Sequence, residues 1–182
     1  VWTPGLTIDM FVRTAGIDYK LLQKRCRILA DKFKGASFVR VTSPSGTDIT
    51  VPVKGREAFC DDGDFSKPGS GGNIPAGEVF ISPLTPKTSE GCQGRIVFDG
   101  SMSVAEGTLI IDDPIVVDVD KGYVTSIANK SGKPLDTSGE NRAALRLLQS
   151  IGTAEKQAVE MEKDGRLPAG KGAEYARNAR NI

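Results

Sequence analysis

The segment best suited to chemistry in this chain is a glycine-rich loop that leads into a short apolar strand. Residues 71–83 read Gly-Gly-Asn-Ile-Pro-Ala-Gly-Glu-Val-Phe-Ile-Ser-Pro, so Glu78 follows a conformationally free glycine and opens a predicted strand. A strand fixes the direction of the side chain on its first residue, as a metal ligand or a general base requires. Glu78 is therefore a candidate for one of these roles. The alternative is a surface glutamate that caps a turn or pairs with Lys or Arg.

The chain contains no histidine, and its three cysteines, Cys26, Cys60 and Cys92, stand far apart in the sequence. A hydrolytic metal centre normally takes imidazole or thiolate ligands. The composition therefore indicates that most of the chemistry of a Glu78 site comes from elsewhere, and that this chain is a piece of an enzyme holding part of the active-site frame. An odd number of widely spaced cysteines favours reduced thiols, and hence a cytoplasmic protein.

Two other segments look like ligand-binding loops but lack essential residues. Gly69–Gly72 is rich in glycine, yet no Gly-Lys-Ser/Thr follows, so a flexible loop is favoured over a phosphate-binding loop. Asp61–Asp64 could begin a calcium-binding loop, but glycine stands where the twelfth residue should be glutamate, which favours a solvated turn. Serine and cysteine nucleophiles lack a histidine base here, although a Ser–Lys pair stays open.

Charge is nearly balanced, with 24 Lys and Arg against 23 Asp and Glu in 182 residues. This balance argues against a nucleic-acid-binding arm or a polybasic membrane patch. No stretch approaches the roughly 20 apolar residues that a membrane-spanning helix needs. We therefore expect neither nucleic acid nor membrane as a partner. The length suits one domain, which we predict to cover residues 1–182.

Two long helices are predicted from apolar residues that repeat at helical spacing. The first runs from Asp18, which can cap it, to Phe33, and the second runs from a capping box at Thr137 to Met161. A breaker-rich segment at 164–172 is predicted as an internal linker before a short final helix. The residues expected to be buried are Leu22, Cys26, Leu29 and Phe33 on the first helix and Ala144, Leu147, Leu148, Ile151, Ala154, Ala158 and Met161 on the second.

Strands are predicted where β-branched and aromatic residues run between turn residues. Two pairs of them are joined by short turns and predict hairpins, whereas the chain from residue 54 through Gly72 is predicted as a loop. The order of one helix, several strands and two further helices predicts an α+β fold, with helices packed on a mostly antiparallel or mixed sheet. The predicted strands are 38–42, 47–53, 78–82, 94–99, 115–119 and 123–127.

Four motifs give the chain a resemblance to a known enzyme family. The most specific is Asn-x-Pro-x-x-Glu-Val-Phe, which contains Glu78. Together the motifs resemble the aminopeptidase T family of metallo-aminopeptidases, and more closely its leucyl-aminopeptidase-like branch. That branch is in turn similar to the iron-dependent 2,5-dihydroxypyridine dioxygenases. The motifs are Thr3–Asp9, Val41–Asp48, Gly72–Ile81 and Gly94–Ser101.

The resemblance implies that N-terminal residues are removed from a peptide substrate at a two-metal centre, usually of zinc or cobalt. Glu78 would be its catalytic carboxylate and a metal ligand. The other ligands are expected beyond Ile182, so the chain is expected to be a fragment that binds no metal and is inactive alone. The surface such a fragment exposes is expected to form a homo-oligomer. Two alternatives stay open: a non-catalytic binding or scaffold domain, and part of an iron-dependent ring-cleaving dioxygenase of the same superfamily.

Overall fold

The computed structural model describes residues 7–74, 76–84, 91–104, 107–133, 135 and 142–179. The chain divides into two compact units. Unit 1 combines Val1–Ser37 with Val53–Ser82, and unit 2 combines Phe38–Pro52 with Pro83–Ile182. The elements are α1 Ile8–Ala15, α2 Tyr19–Phe33, β1 Phe38–Thr42, β2 Asp48–Pro52, β3 Ala58–Asp61, β4 Glu78–Ile81, β5 Gln93–Phe98, β6 Ser101–Val104, β7 Gly107–Ile110, β8 Ile115–Asp120, β9 Tyr123–Asn129, α3 Arg142–Lys163 and α4 Lys171–Asn178.

Unit 2 is built on a five-stranded sheet in the order β1-β2-β5-β8-β9, with every neighbouring pair antiparallel. Alternation along β8 places Ile115, Val117 and Val119 in the core, because successive side chains of a strand point to opposite faces. Ala143 and Ala144 of α3 belong to the same buried cluster, so this helix packs on the sheet. The predicted α+β fold with helices on a mainly antiparallel sheet is confirmed.

Unit 1 is smaller and consists of α1, α2 and the antiparallel hairpin of β3 and β4. The Asp18 side chain accepts a hydrogen bond from the Leu21 amide at 3.0 Å, which confirms the predicted cap of α2. The helix packs on the hairpin, and Cys26 is its buried residue. No helix among the described residues is both long and apolar enough to span a membrane.

Several details of the sequence prediction are wrong. Residues 58–61 form β3 instead of a loop, and they pair with the strand that Glu78 opens. Leu29, Leu148 and Ala154 were expected to be buried but are exposed. A two-stranded hairpin covers only a narrow line along α2, and Leu148 is rotated by about 100° from the core-facing Leu147. The predicted helix start at Thr137 lies outside the described residues.

Candidate functional site

Glu78 is the first residue of β4, as the sequence predicts, and it lies at the loop end of the unit 1 hairpin. Its partner across the ladder is Asp61, the last residue of β3. Side chains directly opposite each other on antiparallel strands lie on the same face with Cβ atoms about 5 Å apart. The structure therefore brings together two carboxylates that stand 17 positions apart in the sequence, from 61 to 78.

Asp61 organises the loop that leads to Glu78. Its carboxylate accepts hydrogen bonds from the Asn73 amide N–H at 3.2 Å and from Asn73 Nδ2 at 2.8 Å. Its backbone carbonyl accepts a third from the Gly77 N–H at 2.8 Å. These bonds fix both ends of the returning segment against the end of β3, so that the backbone enters β4 in one direction. This arrangement fixes the backbone from which the Glu78 side chain extends.

The sequence prediction missed Asp61, because it treated Asp61–Asp64 as one solvated turn. A solvated turn does describe Asp62 and Asp64. The Asp64 amide donates a hydrogen bond to Asp62 Oδ1 at 3.2 Å, and hydrogen bonds from Ser66 hold the pKa of Asp64 below its usual range. Asp61 instead ends a strand. A signal that could have found it is the short run Ala-Phe-Cys before it, which has the length and apolar character of a partner for Glu-Val-Phe-Ile.

The glycines of the motif allow the loop to approach closely. A Cβ atom at Gly72 would lie 2.6 Å from Asp61 Oδ1 and 2.9 Å from the Phe65 ring. Gly77 has φ of +132°, a conformation that residues with a side chain rarely adopt. The pattern of small residues before Glu78 is therefore explained by contact with the Asp61 carboxylate and by backbone conformation, and needs no phosphate ligand.

The Glu78 carboxylate is exposed, and no hydrogen bond or ion pair joins it to the part of the chain that the structure describes. Beside it on the same face, Phe59 and Phe80 stack with ring centroids 5.6 Å apart and planes inclined by 24°. The face thus combines carboxylates with a half-exposed aromatic pair. Carboxylates accept hydrogen bonds, and aromatic rings stack on other rings, so such a face suits a planar ligand that carries N–H or O–H groups.

The thiols supply no additional reactive group. Burial raises the pKa of Cys26, Cys60 and Cys92, and nearby carboxylates add to the rise for the first two. A thiol with a raised pKa is protonated at neutral pH and is a poor nucleophile or metal ligand. All three cysteines are unpaired in the structure.

The described residues do not form an iron site by themselves. Iron(II) oxygenases typically hold the metal with two histidines and one carboxylate, and this chain has no histidine. Among residues 7–74, 76–84, 91–104, 107–133, 135 and 142–179, no group of three or more Asp, Glu, Cys or His side chains could hold a metal ion. Asp61 and Glu78 can offer two carboxylate ligands, which is fewer residues than a closed site needs.

Comparison with known families corrects the predicted chemistry. The family model of NicX, 2,5-dihydroxypyridine 5,6-dioxygenase, matches residues 14–136, which is more than half of the 182-residue chain. The match includes both strands of the hairpin and therefore Asp61 and Glu78. None of the proteins with curated descriptions matches this chain. The expected hydrolase, aminopeptidase and metalloprotease activity is wrong, because the matching family is one of ring-cleaving oxidoreductases.

Proposed function

Since this chain belongs to the 2,5-dihydroxypyridine 5,6-dioxygenase family, we propose that it is a domain of a metal-dependent dioxygenase that opens a dihydroxylated heteroaromatic ring. Within it, the hairpin corner of Asp61 and Glu78 contributes to the active site. The observation that carries the proposal is the Glu78 carboxylate, which lies opposite a second carboxylate inside the matched residues. The predicted role of Glu78 as a metal ligand becomes part of this proposal.

A dihydroxypyridine ring presents hydroxyl donors and a flat aromatic surface. Carboxylates at Asp61 and Glu78 accept hydrogen bonds from such hydroxyls. The aromatic pair of Phe59 and Phe80 offers ring faces and edges to a planar ligand. The corner would thereby bind and orient the ring, and a carboxylate there would accept a proton from a ring hydroxyl.

The reaction class favours iron over the zinc or cobalt that the resemblance to aminopeptidases implies. Zinc has no redox chemistry, whereas iron supplies the activation of dioxygen in this class of enzyme. The described residues do not complete an iron site. The remaining ligands would therefore come from groups other than these side chains. A cytoplasmic location also stays a proposal, and the unpaired thiols support it.

A non-catalytic binding domain is the second candidate. The incomplete donor set favours it, since a chain that keeps the fold and the aromatic face but lacks ligands can bind a ring compound without transforming it. The two candidates differ in one respect that can be measured directly. The dioxygenase consumes dioxygen when it is given the ring compound and Fe²⁺, and the binding domain does not.

The test uses the full-length protein reconstituted with Fe²⁺ and supplied with 2,5-dihydroxypyridine. Dioxygen uptake and loss of ring absorbance are followed for the parent and for Glu78→Gln and Asp61→Asn. We expect activity in the parent and a loss of about 100-fold in Glu78→Gln, the usual effect of removing a ligand or a proton acceptor. Glu160→Gln, an exposed glutamate on α3, is the matched control and should turn over at the parental rate.

The outcomes separate the candidates. A parent that binds the ring, detected by titration calorimetry, but consumes no dioxygen is the binding domain. Parental turnover in Glu78→Gln would remove Glu78 from the active site. A parent that neither binds nor transforms the ring would overturn both candidates.

A further inference from the structure

Unit 1 has little core of its own. Among its described residues, the buried apolar side chains are Cys26 and Val53. A unit of about 60 residues normally buries about 60% of the surface that its unfolded chain exposes. Here many large apolar side chains stay exposed instead, including Ile8 and Val12 of α1, and four of them form the centres of two surfaces of opposite charge.

The first surface lies on α2, on the side away from the hairpin. Leu21 and Ile28 are two turns apart, on the side opposite the buried Cys26, and are 43% and 53% exposed. Basic residues flank them, and none of these has an ion-pair partner among the residues that the structure describes. This helix face, as we call it, consists of Leu21, Lys24, Arg25, Ile28 and Lys32.

The second surface lies on the opposite side of the hairpin. Cys60 and Val79 form a pair on the α2 side, and alternation places their neighbours on the outer side. There the stacked Phe59 and Phe80 are 54% and 45% exposed. Asp61 and Glu78 stand at one end of the aromatic pair, and the exposed Glu57 directly precedes β3 at the other end. This hairpin face consists of Glu57, Phe59, Asp61, Glu78 and Phe80.

The two faces match in order and in length. Along the helix face the order is basic, apolar, basic at Lys24, Ile28 and Lys32, which span about 12 Å at 1.5 Å per residue. Along the hairpin face it is acidic, aromatic, acidic at Glu57, Phe59 and Asp61, about 13 Å at 3.3 Å per residue. Charges of opposite sign at both ends of an apolar centre give an interface its register and orientation.

We propose that the helix face of one copy of this chain binds the hairpin face of a second copy. The two faces lie on opposite sides of unit 1, so the helix face of one copy cannot contact the hairpin face of the same copy. The contact is therefore head-to-tail, and repetition closes a ring or extends a filament, depending on the rotation between copies. The predicted homo-oligomer thereby acquires a specific interface. The proposal goes beyond the dioxygenase activity. The hairpin face includes the proposed ring-binding corner of Phe59, Phe80, Asp61 and Glu78, so a second copy bound there would exclude the ring compound.

The test uses two variants, each of which disables one face and leaves Asp61 and Glu78 in place. Ile28→Glu puts an acid at the centre of the helix face, and Phe80→Lys puts a cation at the centre of the hairpin face. Both positions are exposed, so circular dichroism and melting should match the parent. Sedimentation velocity from micromolar to near-millimolar concentration should show association in the parent, and association weakened about tenfold or more in each variant alone.

Mixing the two variants is the decisive measurement. Each retains the face that the other lacks, so an equimolar mixture should form a one-to-one heterodimer that does not grow further. Ile110→Glu, a 71% exposed residue of β7 outside both faces, is the matched control and should associate like the parent.

Three results would overturn the proposal. A parent that stays monomeric at every concentration would show that two copies do not bind each other through these faces. Association that persists in both variants would mean that copies meet elsewhere. A mixture that stays monomeric would show that the contact is not head-to-tail.

Discussion

Unit 1 and unit 2 differ in how they use their apolar residues. In unit 2, alternate residues of β8 are buried between the strands of a five-stranded sheet and α3. In unit 1, a two-stranded hairpin meets α2 along a single line, and many of the large apolar side chains stay exposed. Candidate site and candidate interface both lie on the unit with the smaller core, and functional elements are often the less stable ones.

The largest expected effect comes from emptying the core of unit 2. Ile115 is fully buried in β8, so Ile115→Ala should reduce the free energy of unfolding by about 2–5 kcal/mol. Ile110→Ala, at a position that is 71% exposed, should change it by less than about 0.5 kcal/mol. Urea unfolding followed by circular dichroism measures both. Equal losses of unfolding free energy in the two variants would mean that β8 does not contribute to the core.

A second comparison uses one glycine from each unit. At Gly94, φ is +132° and an added Cβ would lie 2.2 Å from the Asp48 backbone carbonyl, so Gly94→Ala must displace β2 from β5. At Gly72, an added Cβ meets the Asp61 and Phe65 side chains, which can rotate away. We expect Gly94→Ala to reduce the free energy of unfolding by about 1–3 kcal/mol, and Gly72→Ala to reduce it by less.

Thermal melting distinguishes these two glycine variants. Gly100→Ala, where an added Cβ meets nothing within 4 Å, is the control and should melt like the parent. If Gly72→Ala were the more destabilised variant, the loop before Glu78 would be as rigidly held as the sheet. The contrast between the two units would then fail.

Sequence patterns were sufficient where local structure and tertiary packing agree. The strand β8 and the Asp18 cap of α2 could both be predicted, since each depends on neighbours in the chain. β3 was missed, because a strand of four residues shows a period of two only weakly, and the apolar Ala-Phe-Cys run was its one local signal. The exposure of Leu29 could not be predicted either, since it depends on the width of the hairpin against which α2 packs.

The candidate site was predictable only in part. Glu78 was recognised because its motif and its strand adjoin it in the sequence. Asp61 was not, because its role depends on pairing between β3 and β4 and on hydrogen bonds from Asn73. The main prediction of hydrolysis was wrong, whereas the alternative kept beside it, part of an iron-dependent ring-cleaving dioxygenase, agrees with the matching family. One fold can host different chemistries, and the described residues do not form the metal site that would distinguish them.

The smallest expected effect concerns the end of unit 2, where a carboxylate of α3 caps the first turn of α4. Its N-cap is Gly170, which has no side chain to accept the free amides, and Glu162 of α3 takes over this function. The Glu162 carboxylate accepts hydrogen bonds from the Gly170 N–H at 2.7 Å and the Gly172 N–H at 2.5 Å. These bonds, with a weaker one from Ala173, lower the pKa of Glu162.

The sign of the pH dependence follows from that lowered pKa. A carboxylate with a pKa lower in the folded state than in the unfolded state stabilises the fold fully above its ordinary value of about 4.3, and this contribution is lost as pH falls through the folded value. Glu162→Gln should therefore speed amide exchange at Gly172 and Ala173 a few-fold at neutral pH, with the difference from the parent vanishing in acid. NMR exchange rates, corrected for the intrinsic rate at each pH, measure this. Glu160→Gln, an exposed neighbour on α3, should leave those amides unchanged. A difference that persists unchanged into acid would show that side-chain shape, and not the Glu162 charge, holds α4 to α3.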